Sequence, residues 1–154
     1  MASLTRRDFV RSTSLSGAAL MSPFLKNGFA NNSPNETIQV AVMGIRSRGT
    51  AHAGTLAKLP NVNVAAICDI DERELPKIVA DVEKISGKKP RTETDIRKVL
   101  ENKEIDAISI AAPNHWHALA TIWACQAGKH VYVEKPVSYN IFEGGKMVEA
   151  SRKY

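Results

Sequence analysis

Four places in this 154-residue chain combine residue types and spacings that could do chemistry. The first is Gly44-Ile45-Arg46-Ser47-Arg48-Gly49. It keeps the outer glycines of the G-x-G-x-x-G turn that brings backbone up to a dinucleotide pyrophosphate. Gly44 would permit the tight turn and Gly49 would let a helix pack against the strand; the middle glycine normally admits the pyrophosphate. Arg46 stands at that middle position, so its guanidinium and that of Arg48 would instead hold phosphate oxygens beside a helix N-terminus. Two glycines in an ordinary strand–helix turn would look the same. The second place is Asp69, twenty residues after Gly49. A carboxylate there takes the adenosine ribose hydroxyls and favours NAD, because it repels a 2′-phosphate. Arg46 and Arg73 keep NADP open, and a helix cap is the other use for Asp69. The third and fourth places are Ala112-Pro113-Asn114-His115-Trp116-His117 and Glu134-Lys135-Pro136. His115 and His117 could also be capping residues, and a metal site on His-x-His lacks a visible third ligand.

All four follow apolar runs. Residues 38–43, 62–68, 105–112 and 130–133 read as strands, and 88–92 as ambiguous with room for a short one. Helical patterns alternate with them over 50–59, 73–85, 95–102, 116–127 and 140–153. Leu75, Ile78, Val79, Val82 and Ile85 recur at helical spacing. Pro76 fits only in a first turn, where amide hydrogens have no helical partner. Gly87 and Gly128 are placed to end helices, Pro60 to stop one, and Asn140 with Glu143 to open one as a capping box. Alternating strand and helix with continuously apolar strands predicts an α/β fold, a doubly wound parallel sheet covered on both faces. Ligands in such sheets sit outside the carboxyl ends of the strands, where the four places lie.

The order of a glycine turn, an acidic second strand end, Ala-Pro-Asn-His-Trp-His and Glu-Lys-Pro resembles the glucose–fructose oxidoreductase / inositol dehydrogenase (Gfo/Idh/MocA) family over about residues 38–154. The resemblance implies a Rossmann-type NAD(P)-binding domain. It implies that Lys135 lies beside the nicotinamide and the substrate hydroxyl that loses hydride, where a lysine can orient the hydroxyl and manage its proton. Glu134 would line the cofactor pocket and Pro136 would fix the backbone, through a cis bond if one is present. The 112–117 loop, with Ala112, Pro113, Asn114 and His117, would pass along the ribose and nicotinamide. Trp116 and Trp123, and Cys68 and Cys125, read as packing residues. The family also carries a second, α+β domain that supplies most of the substrate pocket and mediates oligomers. The sequence is therefore expected to be a fragment that binds a dinucleotide without turning over substrate, with its sheet poorly covered where that domain would pack.

The first thirty residues carry Arg6, Arg7, Arg11 and Lys26 against Asp8 alone. Without them 17 basic and 15 acidic residues remain, so most of the formal charge of +5 is local. No basic stripe with interleaved aromatics suggests nucleic acid. Thr5-Arg6-Arg7-Asp8-Phe9 before a mildly apolar stretch resembles a twin-arginine export signal, with Gly28-Phe29-Ala30 as the small-x-Ala cleavage form. Residues 1–30 are expected to be that signal, 31–37 a linker, and the protein periplasmic. The apolar stretch is too short and too interrupted for a membrane anchor.

The resemblance implies an exported NAD(P)-dependent oxidoreductase acting on a sugar or cyclitol hydroxyl. The alternatives are an NAD-dependent glycosidase of the same fold, resembling bacterial N-acetylgalactosaminidases, and a non-catalytic dinucleotide-binding module. A methyltransferase could share the glycine turn and Asp69 but leaves Glu134-Lys135-Pro136 without a use.

Overall fold

The four apolar runs and one short polar segment form five parallel strands in the order β3-β2-β1-β4-β5. They are β1 (Ile38–Met43), β2 (Val62–Cys68), β3 (Arg91–Glu93), β4 (Ala107–Ile110) and β5 (His130–Val133). Five α-helices connect and follow them: α1 (Arg48–Leu56), α2 (Leu75–Ser86), α3 (Ile96–Glu101), α4 (His117–Gln126) and α5 (Ile141–Lys153). The structure is a computed structural model that describes residues 37–154. The twin-arginine motif, the cleavage form and the linker through residue 36 lie outside the described residues.

One face of the sheet packs Ala41, Met43, Ile108 and Ile110 against α3 and α4. The other packs Val42, Val64 and Ile67 against α1 and α2. A strand that alternates strictly would put Val64 and Ile67 on opposite faces. The β1–β2 register jumps from Val40↔Val64 to Ala41↔Ala66, which leaves Ala65 as an extra residue. That bulge re-phases β2, so Ala66 and Cys68 join the α3/α4 face while Ile67 stays with Val64.

Helix ends follow local chemistry. Pro76 falls in the first turn of α2, and Gly87 ends that helix in the left-handed region at φ 71°. The Asp95 side chain accepts from the Arg97 amide and caps α3. Asn140 caps α5 by accepting from the Glu143 amide at 2.9 Å, and Glu143 Oε2 accepts from the Tyr139 amide at 3.3 Å. Several boundaries differ from the sequence pattern; α1 runs over Arg48–Leu56, earlier than 50–59 and ending before Pro60. The ambiguous stretch contributes β3, displaced to residues 91–93. β4 is shorter than 105–112, because Ile105 closes a turn onto the Asn102 carbonyl and Ala112 leaves the ladder. Residues 114–116 form a 3₁₀ turn before α4 begins at His117.

Candidate functional site

Gly44 holds φ 80° where β1 leaves the sheet, and a Cβ on it would lie 2.5 Å from the Ala112 amide nitrogen. A Cβ on Gly49 would lie 1.6 Å from the Gly44 carbonyl oxygen. Both glycines are therefore dictated by close backbone approach, which presses the turn onto the segment after β4. Ile45 turns its side chain into the α1/α2 core. Its amide donates to Asp69 Oδ2 at 2.9 Å, and Asp69 Oδ1 accepts from the Asp71 amide at 2.9 Å. The Asp69 carboxylate thus ties the end of β2 to the glycine turn. Ser47, the N-cap of α1, makes no side-chain capping bond, so the start of that helix is open to an anionic ligand.

Two clefts flank the turn. One, of about 630 Å³, is lined by Gly44, Asp69, Ile70, Pro113, Trp116 and Trp123, among others. The tryptophan ring centroids are 6.4 Å apart, and the Arg97 guanidinium sits 6.0 Å from the Trp123 centroid. Trp116 and Trp123 pack on each other as the sequence suggests, and they also wall this cleft. The other cleft, of about 250 Å³, is lined by Arg46, Arg48, Asn114, His117, Glu134 and Lys135. Ala112 lines both. An apolar, aromatic cleft with a carboxylate at its rim fits an adenosine. A polar cleft across the same glycine turn fits the other end of a dinucleotide.

Each of the three arginines with a possible phosphate role lies beside a carboxylate in the structure. Arg46 pairs with Asp71 and lies 3.7 Å from Glu74. Arg73 donates from Nε to Asp71 Oδ1 at 2.8 Å and from its terminal nitrogen to Oδ2 at 2.9 Å. Hydrogen bonds from Arg73, with a further one from Arg46, hold the Asp71 carboxyl well below the usual carboxylate range. Arg48 reaches toward Glu134, at 3.9 Å.

At the second cleft, the Lys135–Pro136 peptide is cis, and Lys135 and Pro136 are exposed. Glu134 Oε2 accepts from the Lys135 amide at 3.1 Å. Its Oε1 lies 2.9 Å from His52 Nε2, and His52 Nδ1 lies 2.9 Å from the Ser109 hydroxyl. A carboxylate only accepts, so Nε2 carries a proton; in the neutral ring Nδ1 then accepts from Ser109. The bond from His52 lowers the Glu134 carboxyl from its ordinary value. His117, 2% exposed, joins the two loops from beneath. Its Nδ1 is 2.7 Å from the Pro136 carbonyl oxygen and its Nε2 is 2.8 Å from that of Ala112. Both partners are acceptors, so the neutral ring donates to one carbonyl at a time, and both bonds form together only in the doubly protonated ring.

Two residues of this site do not stand out in the sequence. His52 follows Arg48 by four residues on α1, which puts both on one helix face; that spacing is the only signal for it. Asp71 sits two residues past Asp69 in an acidic run, and nothing local marks it as the partner of two arginines. Cys68 is buried, and burial pushes its thiol up to about 12. Among the described residues there is no cluster of three or more His, Cys, Asp or Glu that could hold a metal, and no helix is long and apolar enough to cross a membrane.

Known proteins match this arrangement. Residues 38–154 match the GFO_IDH_MocA family, described as an oxidoreductase family with an NAD-binding Rossmann fold. A glycosyl hydrolase family 109 protein of Shewanella pealeana is 26% identical over 97% of this chain and 37% of its own length. The crystal structure of myo-inositol 2-dehydrogenase from Lactobacillus plantarum superposes with a TM-score of 0.67 at 29% identity, covering 75% of this chain and 33% of that one. A scyllo-inositol dehydrogenase from Lactobacillus casei, solved with NAD(H) and scyllo-inositol, gives 0.64 at 27% identity, covering 74% and 32%. The chain spans about a third of the length of these relatives. The family match over residues 38–154, on a sheet with the glycine turn and strand-end carboxylate described above, makes this chain a member of the Gfo/Idh/MocA oxidoreductase family, in its NAD-binding Rossmann domain.

Proposed function

We propose that the chain is the nucleotide-binding part of an exported NAD-dependent oxidoreductase acting on a sugar or cyclitol hydroxyl. The observation that carries this is the pair of clefts that share Ala112, with Asp69 in one and Lys135 in the other. NAD, when bound, supplies the hydride acceptor at nicotinamide C4. Lys135 orients the substrate hydroxyl and takes its proton. Glu134, braced by His52, positions the Lys135 backbone. The substrate class is supported by the inositol dehydrogenases among its structural relatives. Export is supported by Arg6-Arg7 and by the small-x-Ala form of Gly28-Phe29-Ala30. Tyr139, Ile141 and Phe142 are exposed beyond the Lys135 turn. That apolar surface suits the second domain expected of the family, through which the protein would also oligomerise.

The name of the Shewanella relative favours a second reading, an NAD-dependent glycosidase. Such an enzyme oxidises the sugar, eliminates the aglycone and reduces the product again. The full-length protein, assayed with NAD, free sugars, cyclitols and an N-acetylgalactosaminide, separates the two. NADH released on a free polyol supports the first. Aglycone released without net NADH supports the second. NAD binding with neither reaction would make the protein a dinucleotide-binding module.

A further inference from the structure

We propose that Asp71 decides between NAD and NADP, by occupying the two arginines that a 2′-phosphate would need. The inference rests on the dinucleotide reading of the site. Asp69 and Asp71 share one turn at the end of β2, joined by the Asp71 amide on Asp69 Oδ1 at 2.9 Å. Arg46, from the glycine turn, and Arg73, from the start of the next segment, both reach this spot. They are the arginines in the chain that keep a 2′-phosphate site open. Asp71 takes both guanidinium groups, with two bonds to Arg73 and one to Arg46. Glu74 adds a second carboxylate at 3.7 Å from Arg46. Residues 69–74 read Asp-Ile-Asp-Glu-Arg-Glu, so the stretch carries four carboxylates, of which Asp71 and Glu74 lie against the arginines. A phosphate arriving here must pull each arginine off Asp71 and then lie beside the freed carboxylate. A ribose hydroxyl needs neither step, since it asks only for the acceptor that Asp69 already presents. Asp69 rejects the 2′-phosphate by its own charge, and Asp71 rejects it by disarming the arginines.

Asp71→Asn removes the charge and keeps a side-chain acceptor for the Arg73 amide, which Asp71 Oδ1 now accepts at 3.2 Å. Asp71→Ser serves as the second variant. NAD and NADP affinities are measured by calorimetry on the intact chain, for each variant and for each combined with Arg46→Ala and Arg73→Ala. The ratio of NADP to NAD affinity should rise about tenfold or more in either single variant, the worth of charge-assisted bonds to a phosphate. It should fall back when both arginines are removed. A general loss of folding would lower both affinities without moving the ratio. An unchanged ratio in a single variant that retains NAD binding overturns the proposal, as does a rise that survives loss of both arginines. If the unsubstituted chain binds neither dinucleotide, the site reading fails and takes this inference with it; NAD binding with an unmoved ratio sinks the inference alone.

Discussion

His52 Nε2 and Glu134 Oε1 meet at 2.9 Å although 82 residues separate them in the chain. One residue belongs to the helix that follows the glycine turn, the other to the tripeptide that carries Lys135. The bond therefore ties the helix after the glycine turn to the turn that carries Lys135. His52→Ala should lower the unfolding free energy by about 1–3 kcal/mol, the usual cost of losing a half-buried polar pair. Urea denaturation measures it. Glu134 is held below its ordinary value of 4.5, first of all by His52. A carboxyl depressed in the folded state contributes stability above its unfolded pKa and loses it as pH falls through the folded value. The stability gap between wild type and His52→Ala should therefore be widest above pH 5 and narrow on acidification below about 4.5. A gap that widens steadily in acid would contradict the pairing.

Gly49 and Gly54 lie on the same helix and should answer alanine in opposite ways. A Cβ at Gly49 would meet the Gly44 carbonyl at 1.6 Å, whereas nothing lies within 4 Å of one at Gly54. Gly54→Ala should stabilise the chain by about 0.5–1 kcal/mol, since it restricts the unfolded chain at no steric cost. Gly49→Ala should abolish dinucleotide binding and lower the melting temperature, because the helix must back away from the strand. Thermal melts of both variants test the pair.

Asp69→Ala should weaken NAD more than NADP, by roughly tenfold in the ratio, since a charged acceptor for the ribose hydroxyls is lost. It should also destabilise the turn, because the Ile45 amide loses its partner. An unchanged preference, with only the stability lost, would reduce Asp69 to a structural tie.

Lys135→Ala in the full-length enzyme should cut turnover by about a hundredfold or more, in line with loss of an acid–base group. NAD affinity should change by far less, as Lys135 is exposed at the rim of its cleft. Steady-state kinetics alongside calorimetry separate the two effects; equal losses would count against the assigned role.

Much of the fold is legible from local patterns. Apolar runs such as Ile38–Met43 and the Leu75–Val82 spacing locate strands and helices, and Gly87, Asp95 and Asn140 mark their ends. β3 is nearly illegible because its three residues, Arg91, Thr92 and Glu93, carry no apolar signal and form the sheet edge. The bulge at Ala65 is hidden because a run of small apolar residues satisfies either phase. Within the site, the strand-end residues are legible from topology, since the carboxyl ends of parallel strands converge. The contacts among them are not. Pairing of His52 with Glu134, and of Asp71 with Arg46, depends on which loops fold over which helix start. No spacing rule reaches across such distances. His117 shows the same limit: its position after β4 marks it as a site residue and it lines the cleft with Lys135, while its contacts to the carbonyls of Ala112 and Pro136 follow from no spacing rule.

The central claim is a dinucleotide lying across the glycine turn with one end in each cleft. Titration of the isotope-labelled chain with NAD, followed by amide resonances, tests it most directly. Saturable shifts should gather at Ile45–Gly49, Asp69–Asp71, Ala112–Asn114 and Glu134–Lys135. Absence of saturable shifts, or shifts gathered instead in the groove lined by Val40, Ala107 and Tyr132, would contradict it.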